Sequence, residues 1–276
     1  MRPSEVLVRG TRYLERHGVS SARANAEVLL MHVLRTDRSG LYSRTASLDP
    51  REARMFGRAL CQRRSGTPLQ HLTGEQAFRR IVVEARPGVF VPRPETEVLV
   101  EHALAAVRGV EAPLVVDVGT GTGAVALSIK DERPDARVFA TDLSPEAVEL
   151  ATANAARLGL EVTVVEGDLL EPLLPELRGW VDLVIANPPY VPLAEIDDLP
   201  EEVRADPRLA LAGGVDLYRR LAADALRWLR DGGTFAVEID ARLGEDVVRI
   251  LAGGFADVRV ERDLAGRDRV VLARAP

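Results

Sequence analysis

Apolar positions recur at helical spacing along the first 75 residues. In three segments of this region an apolar side chain occurs every three or four positions, which is typical of amphipathic helices. We expect Ser20 or Ser21 to cap the second helix, and Asp49 to cap the third, with Pro50 at the first helical position. The pattern predicts a small N-terminal helical domain at residues 1–75.

The helical spacing stops at about residue 76. The stretches QAFRRIVVEA, from Gln76, and VFV, from Val89, are rich in β-branched and aromatic residues. Prolines then punctuate the chain. We predict a β-hairpin linker at residues 76–94, formed by these two stretches and followed by a proline-rich corner.

Short apolar runs alternate with amphipathic segments from residue 95 to residue 276. Near-continuous apolar strands that alternate with helices are typical of a parallel sheet covered on both faces. One helix is predicted to run from Leu217 to the glycine pair at 232–233, and the last two apolar stretches to form an antiparallel hairpin. The fold class is therefore α/β, a Rossmann-like doubly wound sheet with a closing antiparallel hairpin, preceded by the small helical domain.

The composition is ordinary for a globular protein, with 46% hydrophobic and 28% charged residues. Because no apolar run of about 18 residues occurs and the N-terminus lacks the apolar core of a secretory signal, we expect neither a membrane span nor secretion. A single cysteine, Cys61, suits a reducing cytoplasm, and the four histidines lack metal-ligand spacing. We therefore expect a cytoplasmic protein without a metal, and a monomer as the default.

Charge is distributed unevenly within the net charge of −6. Residues 1–80 carry 15 arginines and 7 acidic residues, whereas the remainder carries 21 basic and 35 acidic residues. The basic N-terminal region (residues 1–80, the front helices) on an otherwise acidic chain favours an acidic or phosphate-bearing partner for these helices. A solvated set of helices would produce the same charge pattern, and charge alone does not separate these interpretations.

A glycine-rich loop follows the first apolar strand of the α/β region. In VVDVGTGTGA the strand ends at Asp117, and Gly119, Gly121 and Gly123 lead into a helix. Such a loop lets the backbone approach a ligand, and Asp142, about 20 residues on at the next strand end, could hold a ribose diol. The loop has neither the G-x-G-x-x-G spacing nor a basic residue for a pyrophosphate, which argues against NAD as the nucleoside cofactor. Tight-turn packing is the alternative explanation.

The spacing D-x-G-x-G-x-G resembles the cofactor loop of class I S-adenosylmethionine-dependent methyltransferases, and the closing hairpin resembles theirs. In such enzymes an acid after the third strand usually lies near the adenine. Asp168 stands at that position, with Leu169 able to pack on the ring face. Capping of a helix after the strand is the alternative role for Asp168.

The stretch VIANPPYVP ends an apolar strand with Asn187, Pro188, Pro189 and Tyr190. The Asn187 side-chain carbonyl and the Pro188 main-chain carbonyl can both accept hydrogen bonds from one NH2 group, while Tyr190 offers a ring to a planar group. Because a planar nitrogen is a poor nucleophile, gripping its hydrogens in line with a sulfonium methyl would supply orientation. The corner predicts methylation of a planar nitrogen; a plain proline turn is the alternative.

The ordered combination of motifs over nearly the whole chain resembles the peptide chain release factor glutamine methyltransferases, the PrmC or HemK family. The motifs that carry this resemblance are HLTGEQAF, GVFVPRPETEVLVEHAL, DVGTGTGA, NPPYV, DPRLALAGGVDLYRRL and GRDRVVLAR. The resemblance implies S-adenosylmethionine-dependent methylation of the glutamine in the Gly-Gly-Gln loop of class 1 release factors, with S-adenosylhomocysteine as product. It also implies a partner that docks across an N-terminal helical domain and the catalytic domain.

Two other functions stay open at this point. A nucleic-acid amino methyltransferase could use the same corner for adenine or guanine, although the acidic body shows no basic cluster and stable nucleic-acid binding is not expected. A non-catalytic binding protein could keep the fold, although the intact glycines, Asp142 and Asn187 argue against it.

The resemblance also implies roles for individual residues. The methionine part of the cofactor is assigned to Gly119, Thr120, Gly121, Thr122 and Gly123, the ribose to Asp142, and the adenine to Asp168 and Leu169. The substrate amide and its pocket are assigned to Asn187, which also lies at the cofactor, with Pro188, Pro189, Tyr190 and Phe90. Arg93 and Glu95 either contact the substrate or form an interdomain ion pair, with Thr96 helping to cap a helix.

Overall fold

The computed structural model describes residues 1–276. The helices, in chain order, are α1 (Pro3–Arg16), α2 (Ala22–Leu34), α3 (Arg38–Ser43), α4 (Pro50–Arg64), α5 (Leu69–Thr73), α6 (Thr96–Ala106), α7 (Ala124–Glu132), α8 (Pro145–Leu158), α9 (Glu201–Arg204), α10 (Arg208–Leu211), α11 (Val215–Trp228) and α12 (Gly244–Ala252). The strands are β1 (Glu75–Phe78), β2 (Ile81–Glu84), β3 (Leu114–Val118), β4 (Arg137–Asp142), β5 (Val162–Glu166), β6 (Val181–Ala186), β7 (Leu229–Glu238), β8 (Ala256–Arg262) and β9 (Asp268–Arg274). Short 3-10 turns occupy Pro175–Leu177, Leu193–Asp198 and Ala241–Leu243.

The chain divides into two compact units, and the first consists of Met1–Glu75 together with Pro200–Ala205. Its helices bury an apolar cluster built around Leu14, Leu29, Leu30 and Phe56. The predicted domain boundaries at residues 75 and 94 stay predictions.

A buried polar network connects the two sequence segments of the first unit. The Arg63 side chain is only 6% exposed, and its guanidinium donates to Asn25 Oδ1 at 2.6 Å and to Glu202 Oε2 at 2.6 Å. A buried guanidinium needs such partners because an unpaired buried charge is strongly destabilising. Glu202 therefore belongs to the first unit although it lies 139 residues along the chain from Arg63.

The second unit, Gln76–Leu199 with Asp206–Pro276, contains a seven-stranded sheet in the order β5-β4-β3-β6-β7-β9-β8. The strands from β5 to β7 are parallel, and β9 is antiparallel to both β7 and β8. The doubly wound sheet and its closing antiparallel hairpin are thereby confirmed. Reversal of strand order on either side of β3 creates the topological switch point at which such sheets bind ligands.

Alternate residues of the central strands pack into two apolar cores, one on each face of the sheet. Val115 of β3 packs with residues of α6 and α7 such as Leu99 and Leu127. Val116 packs on the opposite face with Tyr218 and Trp228 of α11. Burial on both faces explains why these strands read as continuous apolar runs instead of alternating ones.

Three sequence expectations are corrected by the structure. The hairpin is formed by Glu75–Phe78 and Ile81–Glu84 and turns at Arg79, whose φ is 49°, while VFV forms no strand. The predicted helix from Leu217 ends at Trp228, because Gly232 and Gly233 already belong to β7. Ser21 precedes α2 in a left-handed conformation, and its side chain makes no capping hydrogen bond. Capping of α4 is confirmed: the Asp49 carboxylate accepts from two backbone N–H groups of its first turn.

Candidate active site

The predicted site residues converge at the carboxyl ends of the parallel strands. Val118 of β3 lies opposite Thr141 of β4 and Ala186 of β6. The glycine loop, Asp142 and Asn187 begin at these aligned positions, and residues 167–169 follow β5 one strand further out. The sheet therefore brings together segments that are about 70 residues apart in the sequence.

The loop after β3 has the backbone that its glycines predict. Gly119, Gly121 and Gly123 all have positive φ, at 73°, 55° and 84°, a region that side chains with a Cβ rarely adopt. The Gly119 and Thr120 N–H groups donate to the Thr141 carbonyl at 2.8 and 3.0 Å, which ties the loop to the end of β4. A Cβ at Gly119 would meet nothing within 4 Å, so this side of the loop is open to a ligand.

Asp117 supports the loop from beneath. Its side chain is buried, and it accepts from the Thr120 hydroxyl at 2.6 Å and the Ala126 N–H at 3.2 Å. Burial raises the pKa of Asp117 to about 7, although the Thr120 hydrogen bond opposes this shift. A cationic ligand at the loop would stabilise the ionised form.

Asp142 is held in place by the backbone. One carboxylate oxygen accepts from the Gly121 N–H at 2.8 Å and the other from the Ser144 N–H at 2.9 Å. Burial raises its pKa, and the backbone hydrogen bonds lower it. The next residue, Leu143, is 52% exposed and forms an apolar surface beside this acid. The sequence analysis did not identify Leu143 as a candidate site residue.

The segment after β5 brings Asp168 and Leu169 to the same edge. The Asp168 carboxylate pairs with Arg220 of α11, and no helix begins after it, so it does not act as a helix cap. Leu169 has a φ of 50°, and its carbonyl accepts from the Thr141 hydroxyl at 2.7 Å. Arg220 is a further residue that the sequence did not indicate.

The NPPY corner follows β6 without any cis peptide bond. Asn187 is partly buried, and its Nδ2 donates to Thr96 Oγ1 at 3.0 Å, which leaves Oδ1 on the opposite side of the amide. Pro188 is buried, and Tyr190 is partly buried, with burial raising the pKa of its phenol. The corner thus presents a fixed carbonyl oxygen, as the predicted grip on an NH2 group requires.

The backbone around Gly213 holds this corner from behind. The Val191 N–H donates to the Leu211 carbonyl at 3.0 Å, and the Gly213 N–H donates to the Val191 carbonyl at 2.9 Å. A Cβ at Gly213 would overlap the Pro189 carbonyl oxygen. Gly213 is therefore required because the two backbones approach each other closely here. The adjacent glycines 213 and 214 do not by themselves indicate this contact in the sequence.

The proline-rich segment lies against the glycine loop. The Phe90 carbonyl oxygen would be 3.9 Å from a Cβ at Gly121, and the Arg93 guanidinium lies 5.4 Å from the centre of the Phe90 ring. Arg93 pairs with the buried carboxylate of Asp206, which also accepts from the Val91 N–H at 3.2 Å.

Glu95, by contrast, is exposed and makes no capping hydrogen bond at the start of α6. The ion pair of Arg93 lies within the second unit and not between domains. Direct contact of either residue with a substrate stays a prediction.

The site fits the cofactor that the loop predicts. The open backbone at Gly119, the acid at Asp142 and the exposed apolar side chain of Leu143 match a sulfonium amino acid, a ribose and a flat base respectively. No group of three or more His, Cys, Asp or Glu side chains is placed to hold a metal ion. No helix of the chain is both long enough and apolar enough to cross a bilayer.

Two family models match this sequence: the PrmC N-terminal domain over residues 5–74, and the methyltransferase small domain over residues 80–203. The chain is 42% identical to the release factor glutamine methyltransferase of Moorella thermoacetica, covering 98% of this chain and 97% of that protein. It is 46% identical to the protein of that name from Mycolicibacterium smegmatis, covering 93% and 92%. Identity to the Deinococcus radiodurans protein is 43%, covering 99% of both.

The chain belongs to the release factor glutamine methyltransferase family. Solved structures show that this family member has the class I S-adenosylmethionine methyltransferase fold. A T. Thermophilus 16S rRNA methyltransferase in complex with AdoMet and guanosine superposes with a TM-score of 0.57 at 21% identity, covering 73% of this chain and 50% of that chain. The hMettl16 catalytic domain in complex with an RNA hairpin gives 0.56 at 18% identity, covering 82% and 80%. At these identities the likeness concerns the fold alone.

Proposed function

We propose that this family member transfers a methyl group from S-adenosylmethionine to the side-chain nitrogen, N5, of the glutamine in the Gly-Gly-Gln loop of class 1 release factors. The observation that carries the proposal is the orientation of Asn187: its NH2 is tied to Thr96, so its carbonyl oxygen is the free end. A primary amide offers two N–H donors, which this acceptor and the Pro188 carbonyl can receive. Relatives that are named release factor glutamine methyltransferases support the same substrate.

The corner would act by orientation and by electrostatics. Bound S-adenosylmethionine supplies an electrophilic methyl group on a sulfonium. The Asn187 and Pro188 carbonyls hold both amide hydrogens, and as the N–C bond forms and the S–C bond breaks they stabilise the positive charge that develops on nitrogen. The nitrogen then releases one proton to water, and S-adenosylhomocysteine leaves. No general base is required.

The remaining residues would hold the cofactor and complete the pocket. We assign the methionine part to the loop from Gly119 to Gly123 and the ribose to Asp142. The adenine would lie among Leu143, Asp168 and Leu169. Pro189, Tyr190 and Phe90 would enclose the substrate amide.

The partner would bind to the basic front helices of the first unit. Residues 1–80 carry the arginine excess, which suits an acidic protein surface. We expect the encounter to take place in the cytoplasm, where release factors act, and the enzyme to act as a monomer.

Labelled S-adenosylmethionine tests the proposal. The enzyme is incubated with purified release factor, with the same factor carrying alanine in place of the Gly-Gly-Gln glutamine, and with matched DNA and RNA. Label on the release factor that disappears in the alanine variant is the expected result. Label on nucleic acid alone would overturn the proposed substrate and leave the fold and cofactor assignments standing.

A further inference from the structure

One short segment of the second unit contacts both sides of the site. It runs from Asp206 to Gly213 and includes α10. At its far end, backbone hydrogen bonds join Leu211 and Gly213 to Val191, directly after the NPPY corner. At its near end, the Asp206 carboxylate contacts the proline-rich segment that lies against the glycine loop. We call residues 206–213 the bridging segment.

The Asp206 carboxylate fixes one peptide group of the proline-rich segment. Its Oδ1 accepts from the Val91 N–H at 3.2 Å, and both residues are buried. Every peptide bond of the chain is trans, so the Phe90 carbonyl, which shares this peptide plane, points away from Asp206. A Cβ on Gly121 would approach this carbonyl oxygen, at 3.9 Å. One planar group therefore connects the bridging segment to the glycine loop.

The second oxygen of the same carboxylate holds a guanidinium beside Phe90. Arg93 Nη2 donates to Asp206 Oδ2 at 2.5 Å, and the Asp206 side chain is completely buried. The Arg93 guanidinium carbon lies 5.4 Å from the centre of the Phe90 ring, within the range of a cation–π contact. One carboxylate thus restrains Phe90 twice, through its backbone and through its ring.

The ion pair of Asp206 contributes geometry more than stability. Taking a carboxylate and a guanidinium out of water is costly, and such pairs are often no more stabilising than apolar residues of the same size. The pair does fix distances and angles, because each carboxylate oxygen has its own donor. The effect expected of Asp206 is therefore on the placement of Phe90.

We propose that Asp206 and Arg93 are positioning residues that set the Phe90 wall of the methyl-transfer pocket relative to the NPPY corner. The inference rests on the proposed function, in which Phe90 encloses the substrate amide. Neither positioning residue touches the reacting atoms; both act through Phe90. For Arg93 this role takes the place of direct contact with the substrate. Because the bridging segment holds the corner at its other end, a shift at Asp206 changes the distance between wall and corner without removing a contact to either ligand.

Asp206→Asn tests these contacts with almost no change in shape. An amide has one acceptor oxygen, so it can accept from Val91 or from Arg93, and its NH2 then faces the other donor. We expect kcat on release factor to fall about tenfold or more, because the pocket wall shifts. The dissociation constants of S-adenosylmethionine and, with S-adenosylhomocysteine bound, of release factor should each stay within about threefold of the parent.

Asp197→Asn is the matched control. Asp197 lies between the NPPY corner and the bridging segment, and its carboxylate pairs with Arg208 at 3.3 Å. Both side chains of this pair are exposed, so loss of the charge should leave kcat within about twofold of the parent. Equal kinetics for Asp206→Asn and Asp197→Asn would overturn the positioning role.

Substitutions of Arg93 separate positioning from substrate contact. Arg93→Met keeps a long side chain without the charge, whereas Arg93→Lys keeps the charge. We expect Arg93→Met to lower kcat about five- to tenfold with the KM for release factor unchanged, and Arg93→Lys to stay within about threefold of the parent. A rise in KM at unchanged kcat in Arg93→Met would mean that Arg93 binds the substrate itself, and the inference would be wrong.

A double-mutant cycle shows whether Asp206 acts through Phe90. Phe90→Ala removes the ring that Asp206 and Arg93 position, so adding Asp206→Asn should lower kcat by less than about a further twofold. If Asp206→Asn is as harmful in the Phe90→Ala background as in the parent, Asp206 does not act through Phe90.

The two proposals fail in different ways. If the parent protein leaves release factor unlabelled, the proposed function is wrong. If the parent labels release factor and Asp206→Asn does so equally fast, only the positioning inference is wrong. Circular dichroism melts identify any loss of fold in Asp206→Asn, and in that case Arg93→Met against Arg93→Lys decides.

Discussion

The glycine loop and the NPPY corner lie at the same edge of one sheet, yet they are built in different ways. The loop is shaped by its own glycines and tied to the neighbouring strand end, with Asp142 fixed by two backbone N–H groups. The corner depends on partners far along the chain: Thr96, 91 residues before Asn187, and Gly213 behind Pro189.

This difference separates the two tasks of the site. Under the proposed function, the cofactor would be bound by a compact local motif, in which most of the geometry is backbone. The substrate nitrogen would be bound by Asn187, whose amide is held by Thr96 from a distant segment of the chain. Substitutions in the corner should therefore change turnover, while substitutions around the loop should change cofactor affinity or stability.

The largest effect is expected for Asn187→Ala. Loss of the carbonyl acceptor should lower kcat on release factor about a hundred- to a thousandfold, because orientation and charge stabilisation at the nitrogen are both lost. Binding of S-adenosylmethionine, measured by calorimetry, should stay within about threefold. A variant that keeps full turnover would show that the amide grip is wrong.

Gly213→Ala should come next. The added Cβ would overlap the Pro189 carbonyl oxygen, so the corner must shift, and we expect kcat to fall about tenfold or more with cofactor affinity unchanged. Gly214→Ala is the matched control, since its Cβ would meet nothing within 4 Å and its backbone is extended. Equal kinetics for the two variants would mean that Gly213 does not hold the corner.

Asp142→Asn tests whether changes near the glycine loop alter cofactor affinity and leave turnover unchanged. The amide would lose the charge that a ribose diol binds, and its NH2 would face a backbone N–H donor. We expect the dissociation constant for S-adenosylmethionine to rise about tenfold, whereas kcat at saturating cofactor should change less than about threefold. A fall in kcat alone would place Asp142 on the substrate side.

The smallest catalytic effect, but a clear stability effect, is expected for Gly123→Ala. At a φ of 84° the new Cβ would lie 3.0 Å from Leu127 Cδ1 and 3.2 Å from Ala151 Cβ. Strained backbone and overpacking together should lower the free energy of unfolding by about 2–4 kcal/mol, measured with urea. Gly159→Ala has positive φ but no neighbour within 4 Å, and should cost only about 1 kcal/mol.

The same contrast explains what the sequence could predict. The loop residues and Asp142 were found because spaced glycines and an acid at a strand end form a local pattern. Thr96 was assigned only a possible cap, because nothing local shows that its hydroxyl oxygen accepts from the Asn187 side chain. The hairpin was misplaced since its turn at Arg79 has positive φ without the Gly or Asn that usually marks such a turn.

The Arg63 network has a consequence for synthesis of the chain on the ribosome. The front helices emerge first, but the carboxylate that completes their buried guanidinium is translated 139 residues later. At about 5–20 residues per second this interval is about 7–28 s. The first segment to be made is therefore finished only after most of the sheet has been translated, and a fragment ending at residue 75 would lack one of its own internal partners.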